Sequence, residues 1–127
     1  MAVKHILVSE NEDSLQYSIT LFLKQADFRV SAVKNCKEAV SSILTFKDTQ
    51  EAIDLLIADL TSPQQVAKEE LIRCIKKSGI RIPIIVLISS EDDGLTGELK
   101  EHGCTACISK PFEAETLMRN INSVFHH

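Results

Sequence analysis

Short apolar runs alternate with stretches of helical period five times along this chain. The first run, His5 to Val8, gives way to the polar and acidic stretch Ser9 to Ser14. Leu15, Ile19, Phe22 and Leu23 then recur at the spacing of a helix that buries one face. Phe28, Val30 and Ala32 alternate with polar residues, as an outer strand with one wetter face does. Asn35 and Glu38 stand three apart, as in a capping box, before a second helix with Ala39, Val40, Ile43 and Leu44 as its buried stripe. Ile53 to Ala58 is almost wholly apolar, which suits a central parallel strand covered on both faces, and it ends at Asp59. Beyond Pro63, the residues Ala67, Leu71, Cys74 and Ile75 mark a third helix that Gly79 terminates. Ile84 to Ile88 reads as a fourth, fully buried strand. A weaker helical stretch around Leu95 and Leu99 leads to Gly103, a short fifth strand near Thr105 to Ser109, and a last helix carrying Leu117, Ile121, Val124 and Phe125.

This order predicts an α/β domain in which helices cover a parallel sheet. No Pro, Gly or Ser-rich linker divides the 127 residues, so residues 1–125 are expected to form one domain. His126 and His127 follow the last apolar pattern and read as a tag remnant, although nothing in the fold changes if they are native. With 44% hydrophobic and 25% charged residues the composition is that of a globular protein with one ordinary core.

Charge narrows the partners. The formal net charge is −4 and the basic residues are scattered, which disfavours direct nucleic-acid binding. The apolar runs are far shorter than the roughly 20 residues of a membrane span, and the N-terminus lacks a signal-peptide pattern. A cytoplasmic location is therefore expected, with Cys36, Cys74, Cys104 and Cys107 as reduced thiols and no disulfide framework. Cys104 and Cys107 have redox-motif spacing and His102 lies nearby. These cysteines enter a strand rather than a helix N-terminus, however, and with His5 they make no closed four-ligand set, so no zinc is assigned.

Parallel crossovers are right-handed, and ligands in such sheets bind beyond the carboxyl ends of the strands. The chemistry-bearing residues gather at those ends. Glu10, Asn11, Glu12 and Asp13 follow the first strand, Asp59 the third, Ser89 and Ser90 the fourth, and Lys110 the fifth. Carboxylates beside a lysine can hold a hard divalent cation through oxygen, and such a cation offsets charge when a phosphoryl group is transferred.

In this arrangement the chain resembles the receiver domain of two-component response regulators. That family carries an acidic pair after strand one, an aspartate after strand three, a hydroxyl after strand four and Lys-Pro after strand five. Lys110-Pro111-Phe112 matches the pattern outright and Asp59-Leu-Thr-Ser-Pro63 is close to it, and the 30-residue step from Asp59 to Ser89 fits its hydroxyl, with Ser90 as the alternative if the register slips by one residue. The resemblance covers residues 4 to 125 and implies a doubly wound, flavodoxin-like sheet of five strands in the order 2-1-3-4-5. It further implies that Asp59 is a phosphoacceptor, taking a phosphoryl group from a partner histidine kinase or phosphotransfer protein. Magnesium would be held by Glu10, Asn11, Asp59 and the backbone carbonyl of Thr61, with Lys110 and Ser89 on the phosphoryl oxygens. The domain would act as a switch on an output protein or domain absent from this chain, not as a turnover enzyme. The added charge of about −1.5 to −2 would bias its two states.

The sequence departs from that pattern at two functional positions. The acidic pair reads Glu10-Asn11, and an amide in the second place attracts a cation less strongly, so weakened magnesium affinity is expected. Asn11 as a plain N-cap of the first helix is the competing reading. Cys107 stands where the family usually has a rotating Tyr or Phe, so its output surface would be coupled differently. The loop after Pro63 reads Gln64-Gln65-Val66 and lacks the family's common glycine.

The alternative function is a pseudo-receiver, a binding module of the same fold that works without phosphorylation. Phosphohydrolase and flavin-binding readings lack their signatures. No second carboxylate stands two residues after Asp59, and no phosphate loop follows the first strand.

Overall fold

A computed structural model describes residues 3–60, 64–89 and 93–126, with the backbone alone for Gln64, Asp93 and Gly94. The elements run β1 (His5–Ser9), α1 (Asp13–Gln25), β2 (Arg29–Val33), α2 (Cys36–Phe46), β3 (Leu55–Asp59), α3 (Gln64–Ser78), β4 (Ile84–Ile88), α4 (Asp93–Glu101), β5 (Ala106–Ser109) and α5 (Ala114–Phe125). The strands form one sheet in the order β2-β1-β3-β4-β5, and each neighbouring pair is parallel.

Side chains of successive strand residues point to opposite faces, so one apolar strand feeds two cores. On one side Ile6, Val8, Leu55, Ile57, Ile85, Leu87 and Ile108 pack against Ile19 and Leu23 of α1 and Leu117 and Ile121 of α5. On the other, Leu7, Leu56, Ala58, Ile84, Val86 and Ile88 meet Ala39 and Ile43 of α2, Leu71 and Ile72 of α3, and Leu95 and Leu99 of α4. This double burial explains the unbroken apolar runs of β1, β3 and β4, which the edge strand β2 lacks. Replacing the fully buried Leu87 by alanine should cost about 2–5 kcal/mol, read as a lower urea midpoint at unchanged slope.

Helix ends follow local chemistry. The Asn35 side chain accepts from the Glu38 N–H at 2.9 Å, which caps α2 as its sequence predicts. The Glu38 carboxylate reaches back to the Lys34 N–H at 2.8 Å, one residue earlier than in a standard capping box. Gly79 adopts φ +70° just past α3, where a side chain would be strained.

Three expectations need correction. Leu44 is 48% exposed rather than buried, because α2 lies over the edge of the sheet and its outer flank faces solvent. Ala32 is likewise exposed on β2. Asn11 does not cap α1, whose N-cap is Glu12.

Buried polar groups are tied down. His5 Nδ1 donates to the Glu51 carbonyl and its Nε2 shares a hydrogen bond with the Ser31 hydroxyl, both at 2.8 Å, which gives the buried ring a structural role. Lys68 on α3, 3% exposed, pairs with Glu98 on α4 at 2.8 Å. Among the described residues, no helix is long and apolar enough to cross a membrane.

Candidate functional site at the carboxyl edge of the sheet

Asp59 is the last residue of β3 and lies beside Leu87 of β4, while Ser9 at the end of β1 is in register with Ala58. The carboxyl ends of the three inner strands are therefore level, and the residues that follow them share one rim. The β1–α1 loop is drawn onto that rim by the Glu10 N–H donating to the Val33 carbonyl at 3.0 Å. The Gln16 amide locks it there by donating to the carbonyls of Glu10 at 3.0 Å and Val33 at 2.9 Å.

As a result Glu10 is 2% exposed and the Asp59 side chain 3% exposed. Lys110 follows β5, its N–H donating to the Ile88 carbonyl at 2.6 Å, and its peptide bond to Pro111 is cis. Its Nζ stands 2.5 Å from Asp59 Oδ1. The contact is an ion pair whose angles miss those of a hydrogen bond. Among the described residues, Asp59 Oδ1 and Glu10 Oε1 are both buried acceptors without a hydrogen-bond partner.

Two ionised carboxylates cannot hydrogen-bond to one another, since neither donates. They satisfy each other only when one holds a proton or a cation bridges them. The Glu10 carboxyl accordingly rises to about 7, chiefly through burial and then through its contact with Asp59, while the Glu12 N–H (3.0 Å from Oε2) and Lys110 oppose the rise. Two buried carboxylates drawn together at one rim supply oxygen donors suited to a hard divalent cation.

A cleft of roughly 250 Å³ opens from Asp59 and is lined by Asn11, Lys34, Asn35, Cys36 and Glu70 among others. Asn11 is thus placed at the same cleft as Asp59. Ser89 is exposed immediately beyond β4. Thr61, Pro63 and Ser90 lie outside the described residues. Cys107 sits apart from the rim, on β5, where the Thr96 hydroxyl and Lys100 of α4 approach its thiol and burial pushes that thiol up.

The structure thus brings Glu10, Asn11, Asp59 and Lys110 to one edge. Sequence reasoning missed the far wall of the cleft, made by Asn35, Cys36 and Glu70. The only signal pointing there was the Asn35 cap, which fixes where α2 begins.

Residues 6–122 match the family model described as response regulator receiver domain. Among curated proteins, the chain is 24% identical over 126 residues to two-component response regulator ORR13 of Oryza sativa subsp. japonica, covering 98% of this chain and 100% of that one. It is 25% identical over 113 residues to two-component response regulator-like APRR3 of Arabidopsis thaliana, covering 88% of this chain but only 22% of that longer protein. Among solved structures, the receiver domain of sensor histidine kinase PA1611 from Pseudomonas aeruginosa PAO1, with magnesium coordinated in its active-site cleft, superposes with a TM-score of 0.79. That match is at 24% identity and covers 99% of this chain and all of the other. The fold is that of these receivers, and with a family match over nearly its whole length the chain belongs to the response regulator receiver domains, the signalling modules of two-component systems.

Proposed function

We propose that Asp59 accepts a phosphoryl group from a histidine kinase or phosphotransfer protein, and that the modified domain changes its affinity for an output protein or domain outside this chain. The observation that carries this reading is the buried Asp59 carboxylate, set between the Lys110 ammonium and the buried Glu10 carboxyl.

A carboxylate oxygen of Asp59 attacks phosphorus as the P–N bond to the donor histidine breaks, and the histidine takes up a proton as it leaves. Burial strips water from the nucleophile, and Lys110 offers its charge to the phosphoryl oxygens. Ser89, one residue past β4, would donate its hydroxyl to the same oxygens. Glu10, Asn11 through its side-chain carbonyl, Asp59 and the backbone carbonyl of Thr61 would hold magnesium, as the PA1611 receiver holds it in its own cleft. When bound, the ion supplies electrostatic stabilisation of the transferring phosphoryl group. The chain's own contribution to a later response is the new charge at a rim where Lys110 already pairs with Asp59. It is a module that is modified, not an enzyme that turns over a substrate.

Incubation with a small phosphodonor such as acetyl phosphate and magnesium should add about 80 mass units, one phosphoryl group. The Asp59→Asn protein should gain none, and equal labelling of that variant would overturn the assignment. The second reading, a pseudo-receiver, is favoured by one feature, the amide of Asn11 where a carboxylate would draw in the cation. It would be supported by an unlabelled parent protein that still captures a partner.

A further inference from the structure

The fold brings two sulfurs together that the sequence keeps far apart. Cys36 is the first residue of α2 and Cys74 lies in the second half of α3. Their Sγ atoms stand 3.1 Å from one another, about 1 Å beyond a disulfide bond length. Both thiols are free and half-buried. Cys36 also lies 3.6 Å from Glu70 Oε1, and with Glu70 it forms part of the wall of the Asp59 cleft. Cys74 lines a second groove of roughly 470 Å³ between α2 and α3, which Val40, Leu44, Lys37, Arg73 and Lys77 also line. One sulfur thus faces the cleft and the other a solvent-open groove through which a small oxidant can reach the pair.

We propose that Cys36 and Cys74 are a redox-active dithiol that closes to an intramolecular disulfide under hydroperoxide oxidants, tying the start of α2 to α3 across the wall of the Asp59 cleft. One sulfur, as its thiolate, attacks a peroxide oxygen. The O–O bond breaks, a sulfenic acid forms, and the departing oxygen leaves as water after taking up a proton. The second sulfur attacks the sulfenic sulfur, the S–S bond forms, and the hydroxyl leaves as a second water. Two thiols give up two electrons and two protons, and one hydrogen peroxide becomes two waters. A thiol reductant reverses the change by exchange.

Burial, the neighbouring thiol and Glu70 all push the Cys36 thiol up, so closure is slow near neutral pH and accelerates as pH rises. The resting chain keeps free thiols, and the cross-link forms only under sustained oxidation. The device acts through the α2–α3 wall and does not depend on what Asp59 does. Cys104 and Cys107, on β5 and the turn before it, belong to a different part of the molecule.

The full chain treated with hydrogen peroxide at pH 8.5 should lose about 2 mass units, regain them with dithiothreitol, and yield on proteolysis one cross-linked peptide pair joining Cys36 to Cys74. Cys36→Ser and Cys74→Ser should each abolish the loss, and Cys107→Ser should leave it intact. The proposal is overturned if the wild-type digest shows oxygen added to either cysteine without the link, a Cys104–Cys107 link, dimers joined through sulfur, or an unchanged mass. The wild-type digest decides the matter even if a serine variant fails to fold.

Discussion

Asn11→Asp should tighten magnesium binding by about tenfold to a hundredfold at pH 8, measured by titration of amide NMR shifts. Asn11 is exposed at the Asp59 cleft, so a new carboxylate there would act partly through solvent. A unit charge about 4 Å from a divalent ion gains about 2 kcal/mol in bulk water and more toward the interior. Against that, an amide oxygen already supplies a ligand, so the change measures charge rather than coordination number. A third carboxylate beside Glu10 and Asp59 also adds like-charge repulsion to the rim, so in the absence of magnesium the variant should be the less stable protein. An affinity within twofold of the parent would show that position 11 does not face the ion. The remaining ligands, Glu10 and Asp59 among them, would then hold it without help from position 11.

The second large effect is a pH dependence centred on Glu10. Its carboxyl rises from 4.5 to about 7 in the folded chain, so the folded state binds this proton more tightly than the unfolded state does. The stability contributed by that proton is full below about pH 4.5, declines between there and pH 7, and is gone above. At about 1.4 kcal/mol per pKa unit the swing is on the order of 3 kcal/mol. Other carboxylates titrate in the same range, so the informative quantity is the difference between the parent and Glu10→Gln. An amide is permanently neutral and can donate to Asp59. Without magnesium, the variant should match the parent near pH 5 and exceed it by about 1–3 kcal/mol at pH 8, read from urea unfolding. Magnesium should stabilise the parent more than the variant at pH 8, because the ionised Glu10 carboxylate attracts the cation and a neutral amide does not. A difference that stays constant from pH 5 to pH 8 would mean that Glu10 is ionised throughout.

The sheet was legible because β1, β3 and β4 are apolar on both faces, a pattern that leaves little else for them to be. The rim followed from it: once the strands are parallel, Glu10, Asp59 and Lys110 share an edge by topology. Helix faces were read less well. The period of α2 marks Ala39, Val40, Ile43 and Leu44 alike, but periodicity does not tell how much of a helix an edge strand can cover, and Leu44 stays in solvent. Asn11 has the composition of a cap. Yet the Glu10 carboxylate takes the Glu12 N–H at 3.0 Å, a turn that shifts the helix start by one residue. The contact of Cys36 with Cys74 and the ion pair of Lys68 with Glu98 depend on how neighbouring helices pack, and no local pattern encodes that.

That last pair constrains motion. The Lys68 ammonium is almost wholly shielded from water, whereas the Glu98 side chain is 45% exposed. An ammonium stranded there without its carboxylate would be strongly unfavourable, so Glu98 is held to it although its own side chain reaches solvent. Any rearrangement of α4 is therefore tethered near Glu98, and the helix is freer to pivot about that point than to slide along α3.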